Sequence, residues 1–237
     1  MIAGLVVTAS AAAEGPKKPA RARVERDASA AVDAASAAAP AAAPAQDNRA
    51  QLEAVLAKLA KVEALSARFH EEKRMALLAA PLESDGTLHY QRPRLLVRHT
   101  ERPRKASLLL ENDVLTFGDA QRKESVELSS QPALRVLVDA FVSVLAGDLP
   151  ALEKVAELSV EPLEGAFRIR MVPKDPKMKR LVRAMSFEGA LREAGAVLSR
   201  MELTDASGDV TVTTFSQVAF RKAFGEAERK RLFRMGG

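Results

Sequence analysis

Cysteine and tryptophan are both absent from the 237 residues, and tyrosine occurs once. Without cysteine the chain can form no disulfide, no thiolate metal site and no cysteine nucleophile, and it cannot be lipidated on a cysteine of its own. Aromatic residues make up only 4% of the chain and hydrophobic residues 47%. The chain can therefore bury a sizeable core, and aliphatic side chains must fill most of it.

Most of the formal net charge lies at the C-terminus. The formal net charge is +5, and residues 221–237 alone hold six basic residues against two glutamates. Because the rest of the chain is nearly neutral, a basic groove for a nucleic acid is not expected. We expect the tail to contact an acidic partner or anionic lipid headgroups; the alternative is a solvated chain end.

The N-terminal region has the composition of an export signal followed by a linker. Residues 1–13 are apolar and end in small residues, like the second half of a secretory signal peptide without its basic start. This stretch is too short to span a bilayer, which takes roughly 20 apolar residues. Alanine and proline dominate the next segment. We predict a signal peptide over 1–13, a linker over 14–46, a folded domain over 47–220 and a basic tail over 221–237.

Hydrophobic periodicity predicts one helix followed by a run of strands. Asp47 or Asn48 can cap a helix whose apolar stripe holds Leu52, Val55, Leu56, Leu59, Val62 and Leu65. Apolar and polar residues then alternate, and turn sequences such as Ser84-Asp85-Gly86 separate the runs. In one later run, Leu181, Arg183, Met185 and Phe187 should share a face. In the next run, Val197, Ser199, Met201 and Leu203 should share a face. Short connections between such strands predict an antiparallel sheet.

One segment, Pro132 to Ala146, is apolar on nearly every side. Its polar residues Arg135, Asp139 and Ser143 fall four apart, on one narrow stripe of a helix. Gly147 should end this helix, and Asp148 can cap a short second one. A helix so apolar, yet too short for a membrane, must be surrounded by protein or by ligand. We expect it at the mouth or on the concave face of the sheet.

Residues suited to catalysis or metal binding are present, but their spacing does not suit either task. His70-Glu71 opens like a zinc-protease motif, but Arg74 stands where the second histidine is needed. Glu71 and Glu72 are adjacent in a predicted strand and so point to opposite faces. His89 and His99 could face each other across a hairpin, although solvent-facing histidines are commoner than two-histidine metal sites. We expect no metal, no cofactor and no enzymatic activity.

The remaining chemical feature is a large apolar interior with few polar groups. Such an interior is typical of an acyl-chain site, where affinity comes from buried area. An ordinary dry core has the same composition, and both interpretations stay open at this point.

Several short stretches, taken in order, resemble one family. "LSARFHEEK", "PLESDGTLHYQRPRLLVRHTERP" and "LLLENDVLTFGD" are similar to the opening strands of the LolA family of periplasmic lipoprotein carriers. "IRMVPKD" and "LSRMELTDASGDVTVTTFSQV" resemble its later strands. The resemblance covers about Asn48 to Phe220. It implies a mainly β fold with α-helices, an unclosed, strongly curved antiparallel half-barrel covered by helices, and a periplasmic location.

The resemblance also implies a function and a site. The cargo would be the acyl chains of a lipoprotein or another lipid-like product, passed from an inner-membrane exporter to an outer-membrane acceptor protein by a monomer. Arg92 matches the family's arginine that tethers the helical lid, and we expect carbonyls at the end of the apolar helix to accept its hydrogen bonds. A strand-end charge is the other interpretation of Arg92. The expected cavity residues are Phe69, Leu88, Tyr90, Leu96, Leu137, Phe141, Phe167, Met171, Met185, Phe187 and Met201.

Some features depart from the family pattern. His99 stands where an aromatic residue is usual, and "PLESDGTLHY" and "AGDLPALEK" look closer to LolA-related proteins of aryl-polyene or other lipid-like product pathways. The identity of the cargo therefore stays open. The alternative function is an envelope sensor or exporter-associated module that binds a protein partner on the same fold. A small enzyme would require polar residues to converge inside the barrel.

Overall fold

The computed structural model describes residues 45–193 and 195–236, so the predicted signal peptide and nearly all of the predicted linker lie outside the described residues. The helices are α1 Ala45–Leu59, α2 Pro132–Ala146, α3 Leu149–Val155, α4 Pro176–Lys179 and α5 Glu226–Leu232. The first six strands are β1 Ala64–Arg74, β2 Leu82–Gln91, β3 Leu95–Arg102, β4 Ala106–Glu111, β5 Val114–Gly118 and β6 Lys123–Glu127. The other five are β7 Ala156–Leu163, β8 Ala166–Pro173, β9 Val182–Arg192, β10 Gly195–Asp205 and β11 Val210–Arg221.

These strands form one antiparallel sheet in the order β6-β5-β4-β3-β2-β1-β11-β10-β9-β8-β7. Strands that follow one another in the chain pair in the sheet, except β6 and β7, and β1 pairs with β11 in the middle. Strands β6 and β7 are the two edges and do not pair with each other, so the sheet is unclosed. The predicted fold, an unclosed antiparallel sheet covered by helices, is confirmed.

Alternation along the strands gives the sheet two different faces. Leu65, Ala67 and Phe69 of β1 point to one side and join a single hydrophobic core with the apolar residues of α1 and α2. We call this helix-covered side the inner face and the other side the outer face. The inner face is where the predicted cavity residues lie.

Helix α1 differs from its prediction at both ends. It begins at Ala45, so Asn48 lies in the first turn, where its side chain donates to the carbonyl of Val160 at 3.0 Å. The helix ends at Leu59, and the prediction that Val62 and Leu65 continue its stripe is wrong. Both residues are buried, but Val62 lies in the connection and Leu65 in β1. The apolar spacing of α1 continues into β1 because both elements pack against the same core.

Helix α2 has the predicted bounds and the predicted end. Gly147 adopts φ 66°, and a side chain there would meet the carbonyl of Leu56 at 2.2 Å, so glycine lets α2 approach α1 closely. The Asp148 side chain accepts from the amide of Ala151 at 3.0 Å and caps α3, as predicted. The ring of Phe141 packs against that of Phe187 in β9, with centroids 6.3 Å apart. This contact places α2 on the inner face.

The alternation of two strands is broken by β-bulges, and both predicted residue faces are corrected. The pairing of β10 with β9 shifts between Leu198 and Arg200, so Ala196 and Leu198 face inward on one side of the shift and Met201 and Leu203 on the other. Ser199 is exposed. A second shift sets Asp205 opposite Val182, which is buried in β9. Leu181 and Arg183 are therefore exposed and do not share a face with Phe187.

Candidate functional site

The inner face contains a narrow cavity between α1, α2 and the middle of the sheet. All twelve lining residues are apolar: Leu59, Val62, Leu65, Ala67, Leu88, Phe141, Leu145, Ala196, Leu198, Phe215, Val218 and Phe220. The volume of the cavity is about 20 Å³. This is room for one or two waters, whereas ligand pockets usually measure about 300–1,000 Å³. An acyl chain can enter only if the helices move away from the sheet.

The eleven residues predicted to line the cavity are all buried in the core that surrounds it. Two of them, Leu88 and Phe141, line the cavity itself. The others pack against the helices and neighbouring strands around it, and Phe167, Met171 and Phe187 are completely buried. Their role in binding cargo stays a prediction.

Bulges explain why simple alternation missed much of the lining. In β11, Gln217 has φ 51°, and the pairing with β1 shifts between Ser66 and Arg68. The shift lets Phe215 on one side of it and Val218 on the other both line the cavity. The bulge in β10 likewise lets Leu198 line the cavity. Each bulge therefore directs an additional apolar side chain into the cavity.

Arg92 lies at the end of β2 and joins the sheet to both large helices. Its Nε donates to the carbonyl of Val62, just beyond α1, at 3.1 Å. Its Nη2 donates to the carbonyl of Ala146, the last residue of α2. A cation at a helix C-terminus also interacts favourably with the helix dipole. The contact with the end of the apolar helix is thus present, and its role in releasing cargo belongs to the proposal below.

A second arginine, which the sequence analysis did not single out, holds the middle of α2. Nη2 of Arg94 lies 2.8 Å from a carboxylate oxygen of Asp139 in α2 and 3.1 Å from one of Asp113. The contact with Asp139 is an attraction between opposite charges, because the orientation of the two groups does not form a hydrogen bond. Asp139 also pairs with Arg135, at 3.4 Å. The narrow polar stripe of α2 therefore faces the β2–β3 connection. The only signal for this in the sequence is the second arginine of "YQRPRLL".

Tyr90 is the polar exception among the predicted cavity residues. Its side chain is fully buried, and its hydroxyl has no hydrogen-bond partner among the described residues. Burial raises the pKa of this phenol. Tyr90 therefore adds a neutral hydroxyl to an otherwise apolar region next to Arg92.

Polar residues do converge on the inner face, but they satisfy one another. The Arg98 guanidinium lies 3.1 Å from a carboxylate oxygen of Glu71 and stacks over the Phe69 ring at 4.1 Å. Ser84 and Thr213 both donate to Glu71, at 3.4 and 3.1 Å. One carboxylate neutralised by one guanidinium offers no pair of carboxyl groups for acid and base catalysis. Glu72 points to the outer face, as predicted.

The three histidines all lie on the outer face or at its edge. Nδ1 of His70 donates to a carboxylate oxygen of Asp85 at 2.9 Å, and this hydrogen bond is the main reason that the pKa of His70 is raised. The rings of His89 and His99 are neighbours, with centroids 6.3 Å apart. Each ring forms a hydrogen bond with a serine, His89 with Ser66 and His99 with Ser107. Across residues 45–193 and 195–236, no group of three or more potential metal ligands converges.

The chain end covers His89 and His99. The rings of Phe224 and Phe233 lie 6.0 and 6.2 Å from His89, and the carbonyl of Leu232 lies 2.7 Å from Nε2 of His99. Burial lowers the pKa of His89 to about 4. The apolar residues of the tail thus pack on the sheet, while its basic side chains stay exposed.

None of the helices in the described part of the chain is long and apolar enough to cross a membrane. A family model described as outer membrane lipoprotein carrier protein LolA-like matches residues 37–232. The chain belongs to this LolA-like family. Its fold and its apolar, helix-covered inner face agree with that membership. No curated protein matches the sequence significantly.

The chain is also similar to solved structures at low sequence identity. A DUF1329 family protein from Desulfovibrio piger superposes with a TM-score of 0.50 at 11% identity, covering 78% of this LolA-like chain and 98% of that one. A putative outer membrane lipoprotein-sorting protein domain from Vibrio parahaemolyticus gives 0.47 at 11% identity, covering 77% and 98%. The complex of MucA and MucB from Pseudomonas aeruginosa gives 0.43 at 13% identity, covering 75% and 60%.

Proposed function

We propose that this protein is a periplasmic, non-catalytic carrier that binds acylated cargo, a lipoprotein or another lipid-like product, between α2 and the inner face of the sheet. The observation that carries the proposal is the cavity lined only by apolar side chains and closed by a helix that Arg92 tethers at its end. Membership of a family of lipoprotein carriers supports the same conclusion. The donor would be an inner-membrane exporter and the acceptor an outer-membrane protein.

The mechanism follows from the balance between helix and cargo. Phe141 and Leu145 of α2 line the cavity, and Arg92 and Arg94 hold α2 against the sheet. An acyl chain offers apolar surface that can replace the surface of α2. Cargo therefore shifts the population toward an open state, at the cost of the two arginine contacts. Release restores these contacts, so they favour delivery over retention.

Replacing Arg92 by leucine tests this mechanism. Arg92→Leu removes both hydrogen bonds and should loosen the closed state, which raises the affinity for a fluorescent acyl probe about tenfold and slows its release. The measurement is probe titration and stopped-flow displacement. Arg102→Leu, which removes an exposed arginine that pairs with Asp85, serves as the matched control. If a folded Arg92→Leu protein binds and releases the probe like the parent, Arg92 is only a strand-end charge.

Native mass spectrometry of the purified protein separates the carrier from a partner-binding module. A carrier should retain an extractable acyl species whose mass identifies the cargo class. A module that recognises a protein partner should carry no lipid and should not respond to the acyl probe. That result would contradict the carrier function directly.

A further inference from the structure

The connection between β1 and β2 exposes leucines at one end of the sheet. Residues 75–81, with the sequence "MALLAAP", form this connection, and Leu77 is 92% exposed. Leu78 and Leu82 are also among the exposed large apolar residues. A single exposed leucine is ordinary, but several at one place mark an interaction surface.

A fourth leucine joins this surface through the turn between β10 and β11. The amide of Ala76 donates to the carboxylate of Asp209 at 3.1 Å, and the amide of Ala206 donates to the carbonyl of Leu181 at 3.1 Å. Leu181 is 49% exposed. Both segments are therefore attached to the same turn. Asp205 stabilises this turn by accepting from the amides of Ser207, Gly208 and Asp209, and it presents the leucines on a fixed support.

Basic side chains surround Leu181. Lys177 and Lys179 of α4 and the following Arg180 are exposed, and Arg183 donates to the carbonyl of Ala206 at 3.2 Å. Residues 177–183 contain four basic and no acidic residues. Three acidic residues at this end, Asp175, Asp205 and Asp209, accept hydrogen bonds from backbone amides. Glu72 pairs with Arg74, and Glu83, next to Leu82, is exposed. The side-chain charges that a ligand would meet around Leu181 are thus mainly positive.

We propose that this end of the sheet, Leu77, Leu78 and Leu82 with Leu181 and the basic residues 177–183, contacts an anionic lipid bilayer. Protruding leucines can enter the boundary between headgroups and acyl chains, while neighbouring lysines and arginines stay at the level of the phosphates. The apolar residues lie on a projecting connection rather than in a groove, a shape that suits a fluid surface better than a folded partner. The contact is independent of cargo binding, because the cavity lies between other residues.

The absence of tryptophan from the chain allows a site-specific test. Leu77→Trp places a single fluorescent reporter at the tip of the connection. Its emission should shift to the blue on vesicles of phosphatidylglycerol and phosphatidylethanolamine, and much less on phosphatidylcholine alone. Leu163→Trp is the control, because Leu163 is another exposed leucine, at 49%, but lies between Glu161 and Glu164. An unshifted Leu77→Trp emission on both kinds of vesicle would overturn the proposal.

Vesicle co-sedimentation measures the energetic contribution of the surface. Leu77→Ser/Leu78→Ser should reduce binding to anionic vesicles at least tenfold. Lys179→Gln/Arg180→Gln should reduce it about 25-fold at low salt, because each of the two basic residues near an anionic surface contributes roughly fivefold. Circular dichroism checks that each variant is folded. Arg229→Gln/Arg231→Gln/Arg234→Gln distinguishes the basic tail. If only this tail variant loses binding, the tail is the lipid contact and the proposal for the β1–β2 end fails.

Discussion

The two faces of the sheet are built from the same strands but are stabilised in different ways. On the inner face, Phe167, Phe187 and Met171 are fully buried, so packing dominates. On the outer face, charged residues form ladders of ion pairs such as Arg168 with Glu188 at 3.0 Å, and only the tail covers His89 and His99. Adjacent residues of one strand therefore contribute to stability in different ways. On the inner face the contribution depends on the volume that a side chain fills, whereas on the outer face it depends on ion pairing and on whether the tail covers the residue.

The largest difference should appear when a phenylalanine is truncated on each face. Phe187→Ala leaves a void beneath Phe141 on the inner face and should lower the free energy of unfolding by about 3–5 kcal/mol. Phe233→Ala removes a half-buried ring from the outer face and should cost about 1 kcal/mol. Urea unfolding followed by circular dichroism measures both. Equal losses would mean that the tail is as integral to the core as α2.

A second comparison of the two faces removes an arginine that pairs with a carboxylate on each of them. Arg98→Met leaves Glu71 buried without its cation and should lower the free energy of unfolding by about 3 kcal/mol. Arg168→Met breaks more exposed pairs with Glu188 and Glu161 and should cost less than about 1 kcal/mol.

The double variant Glu71→Leu/Arg98→Met tests the reason for this difference. If the loss in Arg98→Met comes from an uncompensated buried charge, removing Glu71 as well should restore part of the stability. A double variant that is less stable than Arg98→Met would show instead that the ion pair itself stabilises the inner face.

The smallest of the three effects is a loss of stability at acidic pH. It distinguishes His89, which the tail covers, from His70, which lies on the uncovered part of the outer face. His89 has its pKa lowered from 6.5 to about 4 by burial, so the unfolded chain binds a proton that the folded chain does not between those values. The stability from His89 is complete above pH 6.5 and is lost as the pH falls toward 4. Between pH 7.5 and 5 the loss should be about 2 kcal/mol.

Urea unfolding of His89→Gln at the two pH values provides the measurement. The variant should show a smaller decrease between pH 7.5 and 5 than the parent protein. His70 serves as the opposite case, because Asp85 raises its pKa and the stability that it contributes is lost as the pH rises. His70→Gln should therefore steepen the loss toward acid slightly. An unchanged pH dependence in His89→Gln would mean that the tail does not keep His89 neutral.

Local patterns predicted much of the fold because their causes are local. The apolar spacing and Gly147 defined α2 and its end, Asp148 capped α3, and alternation with short turns defined an antiparallel sheet. Each of these features depends on residues that are close in the sequence or on a single side-chain property. The contact of Arg92 with the end of α2 was expected from the family resemblance and not from a local pattern.

The cavity lining could not be read from the same patterns. The bulges near Ser199 and Gln217 reverse the alternation, and they exist only when β10 pairs with β9 and β11 with β1. A bulge is a property of two paired strands, so a pattern within one strand does not reveal it. For the same reason Leu198 and Val218 were missed, and Leu181 was assigned to a face that it does not share.

The sequence by itself determined that a helix precedes a run of alternating antiparallel strands and that α2 must be enclosed, because hydrophobic burial acts on every residue wherever it lies. The tertiary structure alone decided which side chains meet. It paired Glu71 with Arg98, brought Arg94 to Asp139 and laid Phe224 and Phe233 over His89. Such contacts join residues that are distant in the chain. Their geometry follows from the pairing of whole strands, which no local pattern contains.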